Sequence, residues 1–360
     1  RLAETPVFLT RELEERLVSA SHGILAQLSR PETVARLRRF VPPEWDAPGI
    51  DELPSIAQID LAVARAADGS LEPKLVELQG FPSLSAFEVL QADAWEAALS
   101  GIPGLPAGGW SPYFSGLTRT TYLDLLRRTV VAGHDPENVV LLDLHPEGQK
   151  TAVDFDATRR LLGVEAVCAT EVEKEGRRLY RRRGGRRVPI ERIYNRVVVD
   201  ELVRTGARLP FDFRDDLAVE WAPHPNWFWA FSKAALPLLD HPAAPRTLTL
   251  DTLDALPPDL AKRWVLKPLF SFAGGGVNVE PTEADVAAVP AAERDRWCLQ
   301  EKIEYAPALI TVDGGGVKVE IRMMFFRPGS RREFTLGLNL CRLSRGKMHG
   351  VDFNRDFTWV

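Results

Sequence analysis

The chain has 360 residues, 45% of them hydrophobic and 26% charged, with a formal net charge of −5. Such a length has room for roughly two to three domains of about 100–200 residues each, and the mild acidity excludes a protein drawn by net charge to nucleic acid or an anionic membrane. No apolar run approaches the ~18 residues of a membrane span, the first residues do not read as a signal peptide, and Cys168, Cys298 and Cys341 lie far apart in apolar runs, the pattern of buried thiols in a reducing cytoplasm and not of a disulfide framework or zinc site.

Leu13, Leu17, Ile24, Leu25 and Leu28 recur at helical spacing after Thr10, a residue suited to the N-cap, and a second short helix is expected from Pro31 to Phe40. Residues 54–82 read as two strands joined by Asp68-Gly69, a strong short-range hairpin signal. A two-residue turn there sets Asp60 opposite Glu77 and Gln58 opposite Gln79, all on one face. Opposed carboxylates call for a cation between them or for a proton on one. Hard oxygen ligands of this kind suit Mg²⁺; the alternative is a solvated hairpin whose carboxylates splay apart. An amphipathic helix over 84–99 follows, then the Gly/Pro-rich connection 101–113. Beyond it come a helix near 118–131, a strand at 139–142, a helix near 155–162 and a strand at 164–168. Strands alternating with helices predict a small parallel sheet. The basic run 176–189, "GRRLYRRRGGRRVP", carries one tyrosine and no interleaved stacking aromatics. It reads as an exposed hairpin with arginines fanned into solvent, an anionic ligand or partner being the second reading. Arg196 faces either the cleft or a structural ion pair.

Lys233 opens an apolar helix predicted within "NWFWAFSKAALPLLDHP". In "WVLKPLFSFAGGGVNVE" a strand delivers Lys267 ahead of a loop with Ser271 and Gly274-Gly275-Gly276, and a short strand at 277–279 follows. Glycines let backbone N–H groups approach an anion, and the lysine adds a positive charge. A flexible hairpin loop with an unremarkable lysine is the competing reading. It is no Walker A sequence, which needs Gly-Lys-Ser/Thr leading into a helix. "WCLQEKIEYAP" is a strand ending at Gln300-Glu301-Lys302-Ile303. In "VKVEIRMMFF" alternation buries Val319, Ile321, Met323 and Phe325 and puts Lys318, Glu320 and Arg322 on the other face. Arg322 there clamps a transferred phosphoryl group by bidentate hydrogen bonds, or else pairs with Glu320 at the surface. Asn339, Arg342, Arg345, His349 and Asn354 are unranked candidates for a carboxylate or amine pocket.

The lysine, the glycine flap and the strand about 30 residues later resemble the ATP-grasp superfamily, and "KLVELQGFPSLSAF" after Asp60 resembles its circularly permuted, glutathionylspermidine synthetase-type members. The resemblance spans about residues 54–345. It implies a mixed α/β (α+β) chain with an ATP-grasp fold and a three-layer α/β domain ahead of the nucleotide region. Residues 1–110 then hold N-terminal helices and the permuted metal hairpin, 111–225 the α/β domain, and 226–360 the nucleotide region. It further implies ATP and Mg²⁺ as cofactors, with the metal on Asp60, Glu77 and Gln79, the last departing from the family's asparagine. Lys233, Lys267, Ser271, Gly274, Gly275 and Gly276 hold phosphates, and Gln300, Glu301, Lys302 and Ile303 form the adenine hinge. Arg322 steadies the reaction intermediate. Gln58 stands where the spermidine-conjugating enzymes carry an arginine, which counts against their thiol-peptide substrate. The implied activity is an ADP-forming carboxylate–amine ligase acting on small molecules through an acyl phosphate; the alternative is a degenerate relative that binds nucleotide or a partner without turnover.

Overall fold

A computed structural model describes residues 2–3, 5–104, 109–270, 275–346 and 358–359. Ser271, Gly274, His349 and Asn354 lie outside these residues. Helix α1 (Arg11–Leu28) starts where the Thr10 side chain accepts from the Leu13 N–H, and Pro31 opens α2 (Pro31–Arg38) two residues after the Ser29 cap. The apolar stripe of α1 covers one face of a large antiparallel sheet. This sheet runs in the order β16 (Thr358–Trp359), β15 (Thr335–Ser344), β14 (Gly316–Phe326), β1 (Ile56–Arg65), β2 (Leu71–Gln79), with β13 (Pro307–Ile310) pairing the start of β14. Segments from both ends of the chain therefore share one sheet.

Alternation assigns the faces. Ala57, Ile59, Leu61 and Val63 of β1 join Val319, Ile321, Met323 and Phe325 of β14 beneath α1. The opposite face changes character along its length. At one end Met324, Phe326, Leu338 and Leu340 pack with Tyr122, Leu125 and Leu126 of α4 (Arg119–Val130) and Val139 and Leu141 of β3 (Val139–Asp143). At the other end it carries charge, described below.

Strand β3 belongs to the parallel sheet that the alternating pattern predicts. Its order is β4 (Glu165–Cys168), β3, β8 (Arg192–Asn195), β9 (Glu220–Ala222), flanked by α5 (Ala152–Leu162) and α6 (Val199–Thr205). Helix α3 (Phe87–Ser100) packs near α5 and has no capping side chain of its own. Instead Asp154, in the first turn of α5, accepts from the N–H groups of Leu84, Ala86 and Phe87 at 2.9–3.0 Å and pairs with Arg196 Nη1 at 2.9 Å. Arg196 thus has the structural role of its two readings. A small antiparallel sheet, β5 (Glu173–Glu175), β6 (Arg178–Arg183), β7 (Arg186–Ile190), carries the basic run. Most of its arginines are paired and not simply fanned into solvent: Arg181 meets Glu165, Arg182 meets Glu173, Arg183 and Arg186 share Glu137, and Arg187 meets Glu173 and Glu175.

The last sheet is β10 (Thr247–Thr249), β12 (Trp297–Glu301), β11 (Trp264–Pro268), all antiparallel, with α8 (Leu260–Arg263) and α9 (Glu283–Ala287) beside it. Lys233 opens a helical segment as expected, Lys233–Leu238 capped by the Ser232 hydroxyl, but it is 3-10 and short because Pro237 cannot continue an α-helix; a separate turn, α7 (Trp227–Ala230), precedes it. One local expectation fails here. The strand expected at 277–279 is reduced to a single bridge, Asn278 to Leu266. Cys168, Cys298 and Cys341 are all free thiols. Among the described residues no helix is long and apolar enough to cross a membrane.

Candidate functional site

Two departures from the ideal hairpin cancel each other at its base. The turn is one residue longer than two, since Ala66 N–H donates to Ser70 O and Gly69 sits at φ 85°. A bulge at Val76 then takes up the shift, so Asp60 still faces Glu77 and Gln58 still faces Gln79. The bulge also lets Leu75 and Leu78, three apart, both face the helix layer. On the other side of β1, Arg322 of β14 lies opposite Asp60, and β15 sets Arg342 opposite Glu320.

These registers produce a buried ionic network. Arg322 donates from Nε and Nη2 to the two oxygens of Asp60, both at 2.6 Å, a bidentate fork. Arg342 Nη2 reaches Asp60 Oδ2 and Glu320 Oε1. The Tyr305 hydroxyl donates to Glu320 Oε2 at 3.2 Å. Burial alone would raise the Asp60 carboxyl, but the guanidiniums of Arg322 and Arg342 outweigh it and hold its pKa below the ordinary value. Glu320 goes the other way: burial raises it, Arg342 offsets that in part, and the charges of Asp60 and Glu77 add to the rise.

Lys233 and Lys267 come to the hairpin from separate segments. Lys233 Nζ lies 3.5 Å from Glu77 Oε2, and Gln79 Nε2 donates to Glu77 Oε1 at 2.9 Å. Lys267 is buried on β11. Its ammonium donates to Gln300 Oε1 at 2.5 Å and, more weakly, to the Val76 carbonyl at 3.4 Å, and burial lowers its pKa. Lys267 is therefore turned into the protein and not to solvent. Gly276, the last flap glycine, has φ 71°, and a Cβ there would meet Pro268 Cγ at 3.0 Å, so this turn needs glycine; Gly275 precedes it in the turn.

The structure therefore gathers Asp60, Glu77, Gln79, Lys233, Lys267, Gln300 and Arg322 in one place. Of the expected hinge residues, Gln300 joins them through its side chain. Gln300 turns its side chain to Lys267. The Lys302 N–H donates to Arg263 O at 2.8 Å, its ammonium donates to Ala261 O, and the Glu301 carboxylate lies 3.4 Å from Arg263. Glu320, Arg342 and Tyr305 complete the network. Alternation signals Glu320 and Arg342, but which cation meets which carboxylate depends on the strand order.

As placed, Asp60, Glu77 and Gln79 do not fit Mg²⁺. Both oxygens of Asp60 accept from guanidiniums, and each Glu77 oxygen has an amide or ammonium partner. Among the described residues no group of three or more His, Cys, Asp or Glu is arranged to hold a metal ion. A 620 Å³ recess lies elsewhere, beside the parallel sheet, lined by Trp45, Leu202, Leu209, Phe211 and Phe213 among others. It holds none of the expected site residues.

No protein-family model matches the chain, and no curated protein sequence matches it either. Among solved structures, the apo form of a glutathione synthetase-like effector from Globodera pallida is similar, with a TM-score of 0.58 and 13% identity over 95% of this chain and 87% of that one. A likeness at that identity concerns the fold alone: the chain has a mixed α/β, glutathione synthetase-like fold.

Proposed function

We propose that the chain is an ATP-dependent carboxylate–amine ligase of ATP-grasp type, related to the permuted glutathionylspermidine synthetases. One observation carries the reading: two lysines from separate segments, Lys233 and Lys267, converge with Arg322 on the base of the β1–β2 hairpin. Cations from different sheets meeting over one hairpin form a setting for phosphate oxygens. In the proposed reaction a substrate carboxylate attacks the γ-phosphorus of ATP, giving an acyl phosphate and ADP. An amine then attacks the acyl carbon and phosphate leaves. Lys233 and Lys267 hold the transferred phosphoryl oxygens. Arg322 keeps Nη1 outside its fork with Asp60, a donor for the oxyanion of the tetrahedral intermediate. Since Asp60, Glu77 and Gln79 do not fit a metal as placed, no step of this proposal passes through Mg²⁺.

A second reading, a degenerate relative that binds nucleotide without turnover, is favoured by the engaged Lys302 donor and by Gln79. Calorimetric titration with ATP, followed by a phosphate-release screen over pooled carboxylates and amines, separates the two. Release that requires both an acid and an amine supports the ligase. Binding with no such release supports the second reading, and absence of any ATP binding overturns both.

A further inference from the structure

We infer that Arg322 and Arg342 stand in the place of a divalent cation, so that this site takes a nucleotide polyphosphate on its fixed positive charges without a metal ion. The inference rests on the nucleotide reading above and deepens it.

Asp60 is fully buried between two neighbouring strands, and its oxygens are covered by the fork from Arg322 and by Arg342. A guanidinium does not give up its proton in a protein, so deprotonation cannot free Asp60 for another cation. A divalent ion at Asp60 would face two guanidiniums in a region poor in water, where like charges repel most strongly. Among the described residues, Asp60, Glu77 and Glu320 meet Arg322, Arg342 and Lys233 in this network, and Lys267 is hydrogen-bonded to two neutral oxygens.

Unused hydrogen-bonding groups point the same way. Gln300 is buried, and with Oε1 accepting from Lys267 its Nε2 has no partner; Arg342 Nε is likewise buried and unpartnered. Both are donors, which suit phosphate oxygens and repel a metal ion. Two unpartnered acceptors also lie near: Gln58 Oε1 on β1, whose amide Nε2 is bound to the Ser83 carbonyl, and Glu88 Oε1 on α3, a carboxyl that burial raises to about 8.

The test uses the full chain, ATP as the anionic probe and Mn²⁺ alone as the metal probe. Calorimetry in EDTA and in excess Mg²⁺ is expected to give dissociation constants within about threefold of each other. Affinity at least about tenfold tighter with Mg²⁺ overturns the inference while leaving the nucleotide reading intact; no ATP binding under either condition overturns both. In the second arm, electron paramagnetic resonance should detect no Mn²⁺ binding by the wild-type chain, and micromolar binding overturns the inference. Arg342→Gln, which leaves the Arg322 fork on Asp60, should weaken ATP binding in EDTA by about tenfold or more. Arg342→Lys keeps the charge and is the folding control. It should hold metal-free ATP within about threefold, and a loss as large as that of Arg342→Gln in a folded protein means that the charge is not what binds.

Discussion

At the scale of single residues, the exposed Glu320–Arg322 pair weighed from sequence would contribute at most about 1 kcal/mol. The structure gives Arg322 a different partner and a different environment. Arg322→Ala would leave Asp60 buried with Arg342 alone, and breaking a buried pair costs about 3–5 kcal/mol. Urea unfolding checks this, and a loss below about 1 kcal/mol would mean that water reaches the pair after all. Lys267 behaves oppositely. Lys267→Met removes an ammonium that burial disfavours and replaces it with an apolar chain of similar length, so stability should change little. ATP affinity should fall, by about tenfold if the lysine touches a phosphate. Unchanged affinity by calorimetry removes Lys267 from the site. Alternation alone placed Glu320 and Arg322 on one face. It could not tell that this face is buried, because the covering residues are distant in sequence and belong to other strands and another sheet.

Among the elements, the β1–β2 hairpin was the most legible part of the candidate site. Asp68-Gly69 announced the turn, and the pairing of Asp60 with Glu77 followed, although the turn length and the Val76 bulge each depart from the simple count by one residue. A bulge has no sharp sequence signal. It shows only as Leu75 and Leu78 both needing the same core. The capping of α3 was illegible for another reason. Its cap is Asp154, about 70 residues away on α5, and Arg196 completes the contact from the end of β8. Leu84, at φ 61° in the loop before α3, is held in this unusual conformation by the same carboxylate. Asp154→Ala would remove the acceptor for three backbone N–H groups and strand the Arg196 charge, so a loss of about 3–5 kcal/mol is expected in thermal or urea unfolding. Hydrogen exchange localises the effect: the N–H groups of Ala86 and Phe87 should lose protection first. If they stay protected in the variant, local capping is sufficient and Asp154 is a passive neighbour.

For the whole molecule, buried carboxyls set the response to pH. Burial, reinforced by the charge of Asp154 and opposed by Arg322, pushes Glu88 up from 4.5 to about 8. Burial also pushes Asp143 up to about 7, against Arg196 and the Leu144 N–H. A carboxyl raised in the folded state keeps its proton when the unfolded chain has already lost it. Its contribution is fully present below pH 4.5 and is lost as pH rises through the folded value. Asp60, lowered from 3.8, works in the other direction and supports the fold until pH falls through its depressed value. Stability should therefore peak on the mildly acidic side of neutrality. Between pH 6 and pH 8 it should fall by up to about 1.4 kcal/mol per pH unit for each group that stays protonated only in the native state. Glu88→Gln keeps the shape and removes the charge, so it should flatten this decline and leave the protein more stable than wild type at pH 8. Its effect near pH 5 should be small, because wild-type Glu88 is then neutral in the fold. Unfolding curves across this range decide the matter: a variant as steep as wild type would show that Glu88 ionises within the fold at an ordinary carboxylate value, with water reaching the oxygen that has no protein partner.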